Sequence, residues 1–408
     1  MRRPRRASLM FGTVLVIAVT ALACLGFVAL LLRPKVDSGI RVWLLNHTPD
    51  QCIIINPFDG VVEKKFLVAD GLRELAFSRD YTTAYVANVV DISNRLTVID
   101  TSTYLDKEII EVDGVPQGIG VFPDGRRLAV ILGSKTDFMA GGFDVIDLKQ
   151  PSKADPKRKL RLYRERNLSL THKIAISDDG DRIYCVDAKD SKIFIFSFSQ
   201  KKLIGEVELH GAVEEMMYPL VGRYYYASVL THQAIYQIDK LSDQVVAAYI
   251  YGQQDPTRAF NFDRLRYMAV DPDARYLYGT NFEGKTVAIW ELGNPKYAIS
   301  WHDVTYNPRV TGMYVFQVPY HLPLKRFKLK GGYNPTKSYV PGGQQLAVDP
   351  TNKNLFVVDE DGALYIYDIG TVLAAPDMSA PEPRAIVSSI EGEMRDLKVS
   401  RPIIRRGK

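Results

Sequence analysis

Seven polar residues stand at one recurring place in this chain, each four residues before the end of a short apolar segment: Arg73, Gln117, His172, Glu214, Arg266, Gln344 and Arg395. Their surroundings are otherwise apolar. Three guanidinium groups and an imidazole gathered together would hold a carboxylate or a phosphate, because a guanidinium pairs with either through two parallel N–H donors. Glu214 would pair with a neighbouring arginine or act as a base. The plainer alternative is that all seven line a wet channel and bond to loop backbone.

The elements that would position them come from a repeat. Its clearest copy is 71–101, with the apolar runs Leu75-Ala76-Phe77, Ala84-Tyr85-Val86-Ala87 and Leu96-Thr97-Val98-Ile99 separated by polar turns. Short runs rich in Val, Ile, Tyr and Thr between turn residues read as antiparallel strands. The first run ends at an anchor, and anchors recur at Phe77, Val121, Ile176, Tyr218, Val270, Val348 and Val399. Turns rich in Pro, Asp and Gly follow them, as tight hairpins require. Second and third strands come next, then a weaker fourth, such as Lys107–Ile110. Four antiparallel strands repeated every 40 to 50 residues mark a propeller. The two ends complement each other. Met394-Arg395-Asp396-Leu397 echoes Leu72-Arg73-Glu74-Leu75 but has no second strand after it, whereas Val42–Leu45, Cys52–Ile55 and Glu63–Val68 read as second, third and fourth strands with no first. The C-terminal strand therefore completes the N-terminal blade, closing a ring of seven and hiding the edges that an open array would expose. The expected fold class is all-β, a seven-bladed β-propeller over 40–400.

Other chemistries lack a local signature. The six histidines (His47, His172, His210, His232, His302 and His321) show neither H-x-x-x-H nor H-E-x-x-H spacing, and there is no G-x-S-x-G. No metal and no cofactor is expected. The acidic runs Asp178–Asp181 and Asp359–Gly362 read as hairpin turns before they read as calcium loops. The net charge is +5, and Arg2, Arg3, Arg5 and Arg6 carry four of those charges ahead of the folded part, so no nucleic-acid partner is expected.

Those arginines precede an uncharged run, 10–32, of 23 residues. At about 1.5 Å rise per residue it spans a hydrocarbon core of about 30 Å, and it outlasts the 7–15-residue apolar region of a cleaved signal. It is expected to be an uncleaved signal-anchor, a single transmembrane helix after a cytoplasmic tail at 1–9. A linker at 33–39, the propeller and a tail at 401–408 then lie in the periplasm or extracellular space. Cys52 and Cys185 fall on distant units and are expected to be buried thiols.

Ala84-Tyr85-Val86-Ala87-Asn88 and Leu277-Tyr278-Gly279-Thr280-Asn281 resemble the Y-V-T-N motif of the YVTN family of seven-bladed propellers, each after a turn and before a V-I-D-T-like strand. The similarity covers about 40–400. It implies kinship with the propeller subunits of quinoprotein amine dehydrogenases and, more distantly, with 6-phosphogluconolactonase-like propellers. The motif reports the fold more than the function.

Against the regular spacing stand insertions. One, between Val121 and Ile176, carries Lys157-Arg158-Lys159, Arg161, Arg164 and Arg166. Another extends Gln253–Arg264. The largest, 301–341, holds Tyr314, Phe316, Tyr320, His321, Arg326 and Phe327, with an added strand expected over Tyr314–Val318. Mixed aromatics and arginine favour a protein-docking surface. The expected function is therefore a membrane-anchored accessory or structural subunit that binds protein partners in a membrane or periplasmic complex, which the resemblance to amine-dehydrogenase propellers implies is a redox one. The competing expectation is a lactonase-like hydrolase or a binder of small anions at the channel mouth.

Overall fold

The computed structural model describes residues 39–400, apart from 48–49, 69–70, 90–93, 135–139, 170, 188, 210, 230–233, 251–264, 282–285, 295–297, 300–319, 322, 330–344, 359–362, 378 and 388–393. The expected anchor at 10–32, both tails, Tyr314, Phe316 and the strand expected at Tyr314–Val318 lie outside the described residues. Among the described residues, no helix is long and apolar enough to cross a membrane.

Seven antiparallel sheets make seven blades. The first strands, which surround the central channel, are Leu72–Phe77, Val115–Val121, Thr171–Ile176, Val213–Met217, Leu265–Val270, Gln345–Val348 and Met394–Ser400. Met394–Ser400 pairs with Arg41–His47, whose sheet continues through Asp50–Asn56 to Val61–Leu67, so the C-terminal strand completes the N-terminal blade. That composite is blade 1, and blade 2 begins at Leu72. In most blades the second and third strands are almost wholly buried while the fourth meets solvent: Cys52–Ile55 of the third strand Asp50–Asn56 are buried, whereas exposed and half-buried residues alternate along Val61–Leu67. The apolar cores lie between successive blades. Tyr85, Leu96, Leu128 and Val130 share one cluster, for example, and Trp43 packs edge-on against Phe77 at 5.4 Å and Tyr104 at 5.5 Å. Cys52 and Cys185 are free and buried in different blades, and burial pushes both thiols up.

The turn after each first strand obeys one backbone rule. Four residues past the anchors, Tyr81, Gly125, Gly180, Gly222, Ala274 and Asn352 all have positive φ, between 53° and 95°. This accounts for the glycines of the Pro-Asp-Gly-like turns, since a side chain is strained there. At Gly125 (φ +63°) an added Cβ would meet nothing within 4 Å. Gly125→Ala is therefore expected to cost about 1 kcal/mol through backbone strain alone, read as a lowered urea midpoint. A neutral substitution would refute this account of the turn.

Blade 6 takes its fourth strand from within the predicted insertion. Lys325–Lys328 pairs with Thr286–Glu291. The chain first detours onto blade 5, where Tyr320–His321 adds parallel to Val245–Ile250 and pairs with Ala298–Ile299, extending that sheet to six strands. A short helix, α1 (Ile369–Ala374), links the last two strands of blade 7, and Asp368 caps it by accepting the Thr371 N–H at 2.8 Å.

Candidate functional site: the central channel

The recurring polar position proves to be the site of a repeated β-bulge. Pairing skips from Leu72 to Glu74, from Pro116 to Gly118 and from Val213 to Glu215, leaving Arg73, Gln117 and Glu214 without an opposite residue. The skips Thr171 to Ile174 and Leu265 to Met268 include His172 and Arg266. A bulge interrupts the ladder and re-aims the side chains around it. Arg73 is exposed, while Gln117, His172 and Glu214 are partly buried. His172 and Glu214 meet directly, His172 Nε2 lying 2.8 Å from the Glu214 carbonyl oxygen. The side chains of Arg266 and Arg395, and Gln344 altogether, lie outside the described residues.

The charges of the channel wall come one residue later, in four of the repeats: Glu74, Lys173, Glu215 and Asp396, joined by Lys398. Lys173 Nζ lies 3.1 Å from Glu215 Oε2 and 3.8 Å from Glu74 Oε1. Glu74 Oε2 accepts the Ile119 N–H at 3.1 Å, and Glu215 Oε1 accepts that of Met216 at 3.2 Å. Asp396, buried on the closing strand, accepts the Leu75 N–H at 2.9 Å through Oδ2 and the Leu397 N–H at 2.9 Å through Oδ1, which also stands 3.6 Å from Lys398 Nζ. Gly118 occupies the equivalent place in blade 3, where an added Cβ would stand 3.0 Å from Glu74 Oε2 and 2.7 Å from Ile131 Cδ1. Its missing side chain leaves room for that carboxylate. Four blades thus donate charged groups to one network, lining a cavity of about 480 Å³ whose far rim is formed by the turns that follow the first strands.

Three carboxyls face two ammonium groups here. Burial pushes Glu74 up to about 7, against the pull of Lys173 and Lys398. Lys173 is raised despite its burial, chiefly by Glu215 and then by Glu74, as the shorter distance to Glu215 requires. Lys398 is raised first by Asp396. Glu74 therefore exchanges a proton near neutrality, while both lysines already have carboxylates beside them. As arranged, the network ties blades 1, 2, 4 and 5 together around the channel. The sequence signal for it was a charged residue directly after the first polar one in four repeats: Arg73-Glu74, His172-Lys173, Glu214-Glu215 and Arg395-Asp396.

The aromatic and basic residues of the 301–341 stretch that fall within the described part pack on their own propeller. His321 is buried and stacks on Tyr249 (centroids 4.8 Å apart, planes at 25°), and burial lowers its pKa. Arg326 donates both its backbone N–H and its guanidinium to Asp377, at 2.7 and 2.8 Å. Tyr320 and Phe327 lie on strands, and their side chains are outside the described residues. The arginine-rich stretch of blade 3 is matched locally: Arg164 grips buried Asp144 through two bonds of 2.8 Å, and Arg161 reaches Asp113 at 2.8 Å. Among the described residues, no three His, Cys, Asp or Glu side chains converge as a metal ion would need.

No protein-family model matches the sequence, and no curated protein matches it. Solved structures do match in shape. A functionally unknown protein from Desulfotomaculum acetoxidans DSM 771 superposes with a TM-score of 0.60 at 14% identity, over 89% of this chain and 99% of that one. Kuenenia stuttgartiensis hydrazine synthase superposes with a TM-score of 0.58 at 16% identity, over 80% of this chain and 91% of that one. At such identities the likeness speaks for the fold alone. With the seven sheets and their closing strand, it makes residues 40–400 a seven-bladed β-propeller.

Proposed function

We propose that this protein is a non-catalytic propeller, an accessory or structural subunit that binds protein partners while held at the outer face of the cytoplasmic membrane by 10–32. The observation that carries the reading is the self-neutralised channel. Lys173 and Lys398 are both paired with carboxylates, and His172 is engaged by the Glu214 backbone, so these three cationic or titratable groups of the wall are committed to protein partners. The resemblance to the YVTN motif is in keeping with the scaffold reading, because the residues that carry it do structural work here. Tyr85 fills the core between blades, and buried Asn88 accepts the Thr97 hydroxyl at 2.8 Å. A relation to amine-dehydrogenase propellers, and hence a redox complex, belongs to the same proposal. The hydrazine synthase neighbour is in keeping with it through fold only.

The test is native electrophoresis and affinity capture of the full-length protein from detergent-solubilised membranes. The expected result is a stoichiometric complex in the membrane fraction. A lone monomer with no stable partner would overturn the subunit reading, and turnover of a lactone panel by the wild type would replace it with the hydrolase.

A further inference from the structure

The turns that follow the first strands share a plan from which one blade departs. Three residues past the anchor they carry Asp80, Asp124, Asp179, Asp273 and Thr351. The first three of these accept a backbone N–H two residues ahead, at 3.1, 2.9 and 3.0 Å. In blade 5 the same turn reads Pro219-Leu220-Val221-Gly222, and Leu220 and Val221 are 61% and 58% exposed. The turn between the third and fourth strands of that blade adds Leu241, at 77% the most exposed large apolar side chain among the described residues. Its N–H is held by Asp239 Oδ1 at 2.8 Å, two residues back. Phe58 stands in the same relation to Asn56 Oδ1, at 3.0 Å, and is also exposed.

All four side chains share one face. Antiparallel order puts the first-to-second and third-to-fourth turns of a blade at the same end, and contacts between blades 4 and 5 run along it: Arg182 to Asp243 at 2.7 Å and Lys240 to Asp178 at 3.3 Å. The chain also enters and leaves the propeller here, for Arg41 starts a second strand and pairs with Ser400, the end of a first strand. Between the apolar run and Arg41 lie only residues 33–40, which reach at most about 28 Å when extended.

We infer that this face rests on a lipid bilayer, with Phe58, Leu220, Val221 and Leu241 seated among the headgroups and upper acyl chains. Scattered apolar side chains on a surface carry no message, but adjoining turns that replace polar residues with Leu-Val and Leu form a patch. Apolar side chains held out by polar-capped turns gain nothing from the fold and gain contact area on entering an interface. Arg223 and Arg275, with side chains 63% and 61% exposed on the same face, keep their hairpin partners Asp239 and Asp271. The inference rests on the anchored reading of 10–32.

The experiment places an environment-sensitive fluorophore on the full-length protein in a Cys24→Ser background, at Val221→Cys, Leu241→Cys or Leu67→Cys. Cys52 and Cys185 are buried, with thiols shifted up, and do not compete for label. Leu67, 73% exposed at the opposite end of its blade, is the control. Each protein is reconstituted into phosphatidylcholine–phosphatidylglycerol vesicles with brominated acyl chains. Quenching at 221 and 241 is expected to exceed that at 67 at least threefold, and Leu220→Asp is expected to reduce it at 241. Equal quenching at all three sites overturns the inference. So does a label at 221 that stays unquenched in pure lipid yet is shielded in native membranes, which would make the patch a protein contact. Carbonate washing separates the two readings: a chain stripped from the vesicles refutes the anchor itself, whereas a retained chain with unquenched labels refutes only this face.

Discussion

Removing residues 394–408 is expected to leave the protein without cooperative unfolding, soluble only in part and prone to associate through its open blade. The closing strand makes a six-residue-pair ladder with Arg41–Asn46 and buries Leu397 at 2% exposure. Burying Leu397 and the partly buried Val399 contributes about 1.5–3 kcal/mol for each fully covered side chain, and each ladder bond adds about 0.5–1.5 kcal/mol. That sum rivals the 5–15 kcal/mol that is the whole net stability of a typical domain. Asp396 leaves as well, and with it the acceptor of the buried Leu75 N–H in blade 2. Near-UV circular dichroism and sedimentation velocity check the outcome. A rearranged chain supplies the control: residues 394–400 moved ahead of Arg41 through a copy of the Ser177–Arg182 turn, which joins the same two strands in blade 4. Because Ser400 already lies opposite Arg41, this chain is expected to regain native stability. Native stability in the truncated chain would show that closure is dispensable.

The second large effect belongs to the channel network. Lys173→Met leaves Glu215 and Glu74 without the cation between them, and breaking a buried pair from one side costs about 3–5 kcal/mol. Lys173 keeps 21% of its side chain exposed, so a loss near the lower end, about 3 kcal/mol, is expected in the urea midpoint. Pairing it with Glu215→Gln is expected to recover more than half, since the carboxylate nearest the lost cation is then neutral and only the more distant Glu74 still lacks Lys173. Glu74 adds a pH signature. Its pKa, up to about 7, lies above the unfolded value of about 4.3. The folded state therefore binds the proton more tightly; this contribution is complete below about pH 4 and is lost as pH rises through about 7. Glu74→Gln is expected to equal the wild type at pH 4 and to exceed its stability at pH 8. Destabilisation at pH 8 would mean that Glu74 is held as a paired carboxylate instead.

The sequence by itself determined the ring. Strand-length apolar runs, turn residues at fixed offsets and two complementary half-blades sufficed, because each records a local rule: period-two burial, a left-handed residue four past the anchor, and an edge that must be covered. The tertiary structure decided which side chains meet in the channel. A bulge sets two residues of one strand against one of its neighbour, and since side chains alternate along a strand, a displacement of one residue exchanges the faces. The polar positions at Arg73, Gln117, His172 and Glu214 were legible as a periodic signal, but the charged wall falls on Glu74, Lys173, Glu215 and Asp396. Only the pairing partners on the second strands, such as Ala87 opposite Glu74 and Ser228 opposite Glu215, fix that choice. The outer strand of blade 6 was hidden for the related reason that its partners are 36 to 42 residues away: Lys325–Lys328 pairs with Thr286–Glu291 only after the detour through Tyr320–His321 on blade 5, a pairing settled by packing and not by local pattern.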